Sequence, residues 1–170
     1  MIAIGCFYTH GNSEILIGTI LSKIKEESDH NQVIFNFVDD QEQQQFSFWT
    51  KLKSVFTCYL NRPQARHGCY IMTIGVIDEC RKLGIGTYLL KATMNAVLIN
   101  PSWEPSCKII YLHVASYNKA AIKFYDRNGF QTASELKDWY DIFGKSYDAI
   151  LLYRVIEPQP FGTIQSAICN

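Results

Sequence analysis

No sign of charge prevails in this sequence: sixteen Lys and Arg stand against sixteen Asp and Glu. The basic face that nucleic-acid binding requires is missing, so no nucleic-acid partner is expected. The six cysteines, at 6, 58, 69, 80, 107 and 169, form no C-x-x-C pair and no ligand cluster. They are expected to be reduced thiols, and no metal is expected. Cys69 and Cys80, either side of one strand-like run, read as small core residues or as nucleophiles. No run approaches the roughly 18 apolar residues of a spanning helix. The opening MIAIGCFYTHG lacks the basic region and apolar length of a signal peptide. Asn100-Pro101-Ser102 is barred from glycosylation by its proline. A cytoplasmic protein is the expectation, or one on the cytosolic face of an organelle membrane. Repeats are absent as well. Apolar residues at 48% and aromatics at 14% exclude a disordered chain. A length of 170 residues suits one domain.

What is there centres on Cys69 to Leu98. Cys69 to Ile77 is rich in Ile, Val, Tyr and Thr and reads as a buried strand. A polar turn, Asp78 to Lys82, leads into Gly84-Ile85-Gly86. Beyond it Ile85, Leu89, Leu90, Ala92, Met94, Ala96 and Val97 recur at helical spacing. A strand, a glycine turn and a helix start aim free backbone N–H groups and the positive end of a helix dipole at one point. Gly-x-x-x-x-Gly-Lys-Ser/Thr is absent, which removes the P-loop NTPases. A dinucleotide fingerprint fails as well, because its third glycine is Leu89 and Glu104 lies between prolines. Two readings stay open for Arg81-Lys82-Leu83-Gly84-Ile85-Gly86: a pyrophosphate cradle, or an ordinary strand-to-helix turn with a cap.

Around this centre, Ile2 to Tyr8 and Glu14 to Lys25 read as a hairpin joined by Thr9 to Ser13. Gly18 within its second strand marks a bulge or a close neighbour. Residues 26–68 read as an insertion. Val33 to Val38 could be a strand, and Phe46 to Leu60 has the spacing of an amphipathic helix. That helix is either a membrane-surface or partner-binding element, or a cover for the domain's own core. Lys108 to Ala115 is strand-like, Asn118 to Asn128 helical with Gly129 to end it, and Phe130 to Tyr140 and Ser146 to Ile156 are closing strands. Residues 157–170 are expected to form an unstructured tail.

The Arg-x-x-Gly-x-Gly turn resembles motif A of the GNAT acyltransferases, which holds the pyrophosphate of coenzyme A. Four phrases sharpen the resemblance: Tyr70-Ile-Met-Thr-Ile-Gly-Val, the glycine turn, Tyr111-Leu-His-Val and Asn118-Lys-Ala-Ala-Ile-Lys-Phe-Tyr125. Together they are similar to N-terminal acetyltransferases of the NatE and NatF types. The resemblance implies an α/β (α+β) GNAT fold over residues 1–156: a mixed, mostly antiparallel sheet flanked by helices. It also implies acetyl-CoA as co-substrate and protein N-terminal peptides, Met-initiated, as substrate. Tyr70 and His113 match the family's pair of general bases. Ile74, Gly75 and Val76 match the strand edge that pairs with pantetheine, and Arg81, Lys82, Leu83, Gly84, Ile85, Gly86 and Thr87 match the pyrophosphate turn. Asn118 and Tyr125 match coenzyme A contacts, and Met72 and Tyr140 match the peptide site, although the family's paired tyrosines read Trp139-Tyr140 here.

Two departures accompany these matches. The chain starts at the hairpin, so the family's first strand and first two helices are expected to be missing, and with them a wall of the peptide site. The tail is too short and proline-rich for the amphipathic membrane segment of NatF-type enzymes. The chemistry also favours an N-terminal amine on its own terms. A chain α-amino group has a pKa of about 7.7–8.0 against about 10.4 for lysine, within reach of an ordinary histidine near 6.5. Lysine-acetylating relatives commonly place a glutamate on the strand of Tyr70, and Cys69 to Ile77 contains no carboxylate. Acetylation of lysine or a small amine, and a coenzyme A-binding pseudoenzyme or partner subunit, remain as alternatives.

Overall fold

The computed structural model describes residues 1–26, 67–100 and 107–156. Strands β1 (Ile2–His10), β2 (Ser13–Glu26) and β3 (His67–Val76) form an antiparallel run. Helix α1 (Ile85–Leu98) follows, then β4 (Cys107–Ala115), helix α2 (Lys119–Arg127), and the strands β5 (Gln131–Ile142) and β6 (Lys145–Val155). The six strands make one sheet in the order β1-β2-β3-β4-β6-β5. Every neighbouring pair is antiparallel except β3 with β4. This is the mixed, mostly antiparallel sheet with helices that the motif order implies.

Several boundaries move. The first hairpin's loop shrinks to Gly11-Asn12, with Gly11 at φ 57 as the leading glycine of a tight hairpin turn. The insertion narrows because Glu26 and His67 are paired residues at the ends of β2 and β3, not loop. The strand of Val33 to Val38, the helix of Phe46 to Leu60 and the tail lie outside the described residues. Gly18 answers to both of its readings. Ile17 has no partner between the pairs Cys6–Gly18 and Phe7–Leu16, which is a bulge. A Cβ on Gly18 would also stand 2.9 Å from Ile85 and 3.3 Å from Leu89, so α1 seats on bare backbone there.

The two helices cover one face of the sheet. Leu89, Leu90, Met94 and Val97 of α1 pack with Ile20, Ile71, Ile110, Leu112, Val114 and Leu152. Each such side chain contributes about 1.5–3 kcal/mol by leaving water. Thr93 joins them because its hydroxyl donates to the Leu89 carbonyl at 2.9 Å, which satisfies it inside the helix. On the opposite face a smaller cluster holds Ile109, Tyr111, Leu151 and Tyr153, with Tyr70, Ala133 and Leu136 against it. The period-2 alternation of β4 therefore sends Ile110, Leu112 and Val114 to the helices and Tyr111 and His113 to the other side.

Helix α2 is framed by its own sequence. The Asn118 side chain accepts from the Ala121 N–H at 3.0 Å as N-cap. At the far end Gly129 takes φ 76, its N–H donates to Asp126 and that of Phe130 donates to Tyr125, a Schellman closure. Phe130 then packs edge-on against the Tyr125 ring at 5.2 Å.

Candidate active site

The parallel pairing of β3 with β4 ends at Tyr70 opposite Tyr111. Beyond that point β3 still pairs with β2 through Val76, and β4 still pairs with β6 through Ala115. The sheet is therefore split from Ile71 and Leu112 onward, with one edge of β3 open toward the gap. Ile74, Gly75 and Val76 lie on that open stretch, and a Cβ on Gly75 would meet nothing within 4 Å among the described residues. An extended ligand can add to such an edge as a strand does.

Above the gap stands the start of α1. Gly84 is its N-cap at φ 83 and ψ −2, a left-handed geometry that glycine enters without strain. The first helical bond runs from the Tyr88 N–H to the Gly84 carbonyl, so the N–H groups of Ile85, Gly86 and Thr87 point out of the helix end. Among the described residues no side chain caps them, and no acid sits in the first turn, which leaves the positive end of the dipole for an outside anion. Leu83 is exposed, and Lys82 takes φ 64 in the approach to the turn. Arg81 is tied back: its Nε donates to the Val76 carbonyl at 3.2 Å and its guanidinium pairs with Asp78.

The two glycines have different surroundings. A Cβ on Gly84 would meet nothing within 4 Å among the described residues. On Gly86 it would come 3.0 Å from the Phe124 ring, so the bare glycine there also lets α2 approach α1.

On the opposite face, at the mouth of the split, Tyr70 Oη and His113 Nδ1 are 3.3 Å apart. Tyr70 also packs against Tyr111 at 5.2 Å, and Lys25 Nζ lies 4.1 Å from the centre of its ring. Burial pushes the Tyr70 hydroxyl above the usual 10 of a tyrosine. It therefore holds its proton at neutral pH and can donate to the imidazole. Partial burial, with Lys23 nearby, lowers Lys25. Trp139 stacks on His113 with ring centres 4.4 Å apart and planes 16° from parallel. Tyr140 is half-buried close by. Burial raises its hydroxyl, with the charges of Tyr70 and Tyr117 adding to the shift. Tyr125 is buried in α2 and pushed up to about 12, by burial first and then by Tyr140. Met72 is 51% exposed on the open half of β3.

The structure thus brings Tyr70 and His113 together, with Tyr140 within electrostatic reach of Tyr70, and sets Gly84 to Thr87 at the end of α1. Asn118 is engaged as a helix cap. Sequence reading did not find Lys25, Tyr117 or the stacking role of Trp139; each depends on contacts between strands distant in sequence, which leave no local pattern. Cys69 and Cys107 fall on the structural side: burial pushes Cys69 up to about 11 and Cys107 up to about 12, so both stay thiols. A groove beside α2, lined by Lys119, Lys123, Asp126 and Gln131 among others, contains none of the site residues.

A sheet parted between its two parallel strands, with a bare helix N-terminus over the gap and a tyrosine–histidine pair beneath it, defines an acyltransferase architecture. The chain belongs to the acetyltransferase (GNAT) family, whose profile matches residues 5–130. It is 39% identical to N-alpha-acetyltransferase 60 of Xenopus tropicalis over 80 residues, 47% of this chain and 32% of that one. N-alpha-acetyltransferase 50 of Danio rerio is 31% identical over 112 residues, 65% of this chain and 64% of the relative. The chain thus spans between about a third and two thirds of the length of these relatives. Among solved structures, that of Arabidopsis thaliana NAA60 with a bisubstrate analogue superimposes with a TM-score of 0.62 at 27% identity. The match covers 88% of this chain and 71% of that one. The same plant protein in complex with acetyl-CoA gives a TM-score of 0.60 at 26% identity.

Proposed function

We infer that this chain transfers the acetyl group of acetyl-CoA to the N-terminal amine of protein chains. The observation that carries the reading is the Tyr70–His113 contact of 3.3 Å at the mouth of the split between β3 and β4. Two neighbours solved with acetyl-CoA or a bisubstrate analogue support it. On the helix-covered face, the N–H groups of Ile85 to Thr87 hold the pyrophosphate and the open edge at Ile74 to Val76 pairs with pantetheine. The thioester then reaches the gap. From the other face the peptide amine enters beside Tyr70, His113, Met72 and Tyr140.

The amine must be neutral to attack the carbonyl carbon. Lys25 beside Tyr70 disfavours a second ammonium in the same place, so a bound amine is biased toward its free-base form. Attack gives a tetrahedral intermediate with a positively charged nitrogen. That nitrogen's proton passes to His113, directly or through the Tyr70 hydroxyl, which gives up its own proton to the imidazole as it accepts one. Collapse expels coenzyme A as thiolate and leaves the acetylated amine. Because burial raises the Tyr70 hydroxyl above the usual tyrosine range and keeps it protonated at neutral pH, it acts as a relay or donor, and the base of the pair is His113.

Met-initiated peptides are the proposed substrates, and the cytosolic side of the cell is the proposed location. Attachment to a membrane surface or partner through residues 46–60 concerns a segment outside the described residues. Calorimetric titration with acetyl-CoA, followed by turnover on Met-initiated peptides with free or acetylated N-termini, tests the reading. Turnover on the free peptide alone is expected. Turnover on blocked peptides points to lysine or small amines, and binding without turnover to a pseudoenzyme or partner subunit.

A further inference from the structure

We propose that Asp148 is a positioning residue for acetyl transfer, because it pins the bulge of β5 that lays Trp139 across His113. The inference rests on the proton path of the preceding section. Between the pairs Leu136–Ala149 and Tyr140–Tyr147, Lys137, Asp138 and Trp139 stand opposite Asp148 alone. Leu136 faces the small core cluster beside Tyr111. In an unbroken strand Trp139, three residues on, would fall on the other face of the sheet. The extra residues return its indole to the face of His113, where it stacks at 4.4 Å.

Asp148 supplies what holds this irregularity. Its Oδ1 accepts from the Asp138 N–H at 3.0 Å and its Oδ2 from Lys137 Nζ at 2.7 Å. Asp138 sits at φ 52, a left-handed geometry that a non-glycine residue keeps only when its surroundings impose it. Meanwhile the Asp148 carbonyl accepts from the Ser116 N–H at 2.9 Å, three residues after His113. One residue of β6 thus ties the end of β4 to the bulge of β5, and so the imidazole to the indole that fixes its plane. With that plane held, Nδ1 keeps facing Tyr70 Oη. Of the two side-chain bonds, the one to Asp138 N–H carries the role. The Lys137 pair is solvated, with 75% of the lysine side chain exposed, and exposed pairs contribute little.

The experiment compares D148A, D148N, K137M and W139A with the unchanged protein. Misplacement of a reacting group by about 1 Å can cost 10²-fold, so D148A is expected to lose roughly 10- to 100-fold in kcat with unchanged acetyl-CoA affinity. D148N keeps an oxygen acceptor for Asp138 N–H and should retain most of kcat, as should K137M. Added to W139A, D148A should cost almost nothing more, since both act through one contact. The imidazole C–H resonances of His113, identified by their loss in H113Q, read the stack without any turnover. They should leave the indole ring-current field in D148A as they do in W139A. Should D148A melt early, D148S replaces it, drawing the acceptor oxygen back by one bond from the Asp138 N–H while leaving a polar side chain.

Resonances unmoved by D148A, losses that multiply with those of W139A, or a full loss in D148N would each overturn the proposal. Resonances that move while kcat stays unchanged would overturn it as well. The proton path fails by a different result, namely full activity in H113A and Y70F whatever the resonances show.

Discussion

In the proposed reaction two side chains, Tyr70 and His113, carry the chemistry at the scale of residues, and each has a separable test. Positioned acid–base groups contribute about 10²–10⁴-fold, so H113A should lower kcat within that range. Y70F removes only a hydroxyl and should cost roughly one to two decades if a proton crosses it. Acetyl-CoA affinity should hold in both, because the glycine turn proposed to hold the pyrophosphate lies on the opposite face. The pH dependence follows from the direction of the Tyr70 shift. Burial raises its hydroxyl above the usual 10, so kcat/KM should rise as the substrate amine loses its proton at about 7.7–8.0 and show no fall attributable to Tyr70 at neutral or mildly alkaline pH. A descending limb between pH 8 and 9 that vanishes in Y70F would contradict this account. The glycines divide in the same way. G84V puts a side chain into open space and strains a residue at φ 83, so acetyl-CoA affinity should fall with a modest loss of stability. G86V drives into Phe124 and should destabilise by about 1–3 kcal/mol, read as an earlier melt before any ligand is added. Both glycines were legible as a turn. The reason for Gly86 was not, because it lies on another helix.

Elements were read best where their stop and start signals are local. Helix α2 was legible from Asn118 to Gly129, and its cap and Schellman closure use those very residues. The helical spacing after the glycine turn gave α1, although Thr93 entered the core unannounced because its hydroxyl is satisfied within the helix. Strand β5 was legible as a strand, but its bulge was not. Aspartate tolerates a left-handed geometry, but nothing in Leu-Lys-Asp-Trp-Tyr places it at Asp138, whose N–H donates to a carboxylate on the neighbouring strand. The cap of α2 gives an element-scale prediction. N118A should cost about 0.5–2 kcal/mol, a fall in Tm of a few degrees for a chain this size. N118D keeps the cap and should restore Tm. If N118D restores Tm while acetyl-CoA affinity stays low in both variants, Asn118 serves the ligand as well as the helix.

For the whole molecule, the order of elements followed from periodicity and punctuation, and the family likeness supplied the sheet. What no local pattern reveals is where two strands stop pairing. The split after Tyr70 and Tyr111 is what places a strand tyrosine and a strand histidine, each ordinarily a packing residue, at the mouth of a gap in the sheet. The central claim is that an N-terminal amine on one face meets a thioester arriving from the other. The most direct measurement incubates the protein with acetyl-CoA and a Met-initiated peptide carrying one internal lysine, then locates the added acetyl group by fragment-ion mass spectrometry. The account predicts acetyl on the N-terminal nitrogen, with the rate collapsing in the H113A variant. Acetyl on the lysine side chain, or N-terminal acetylation at an undiminished rate in H113A, would contradict it.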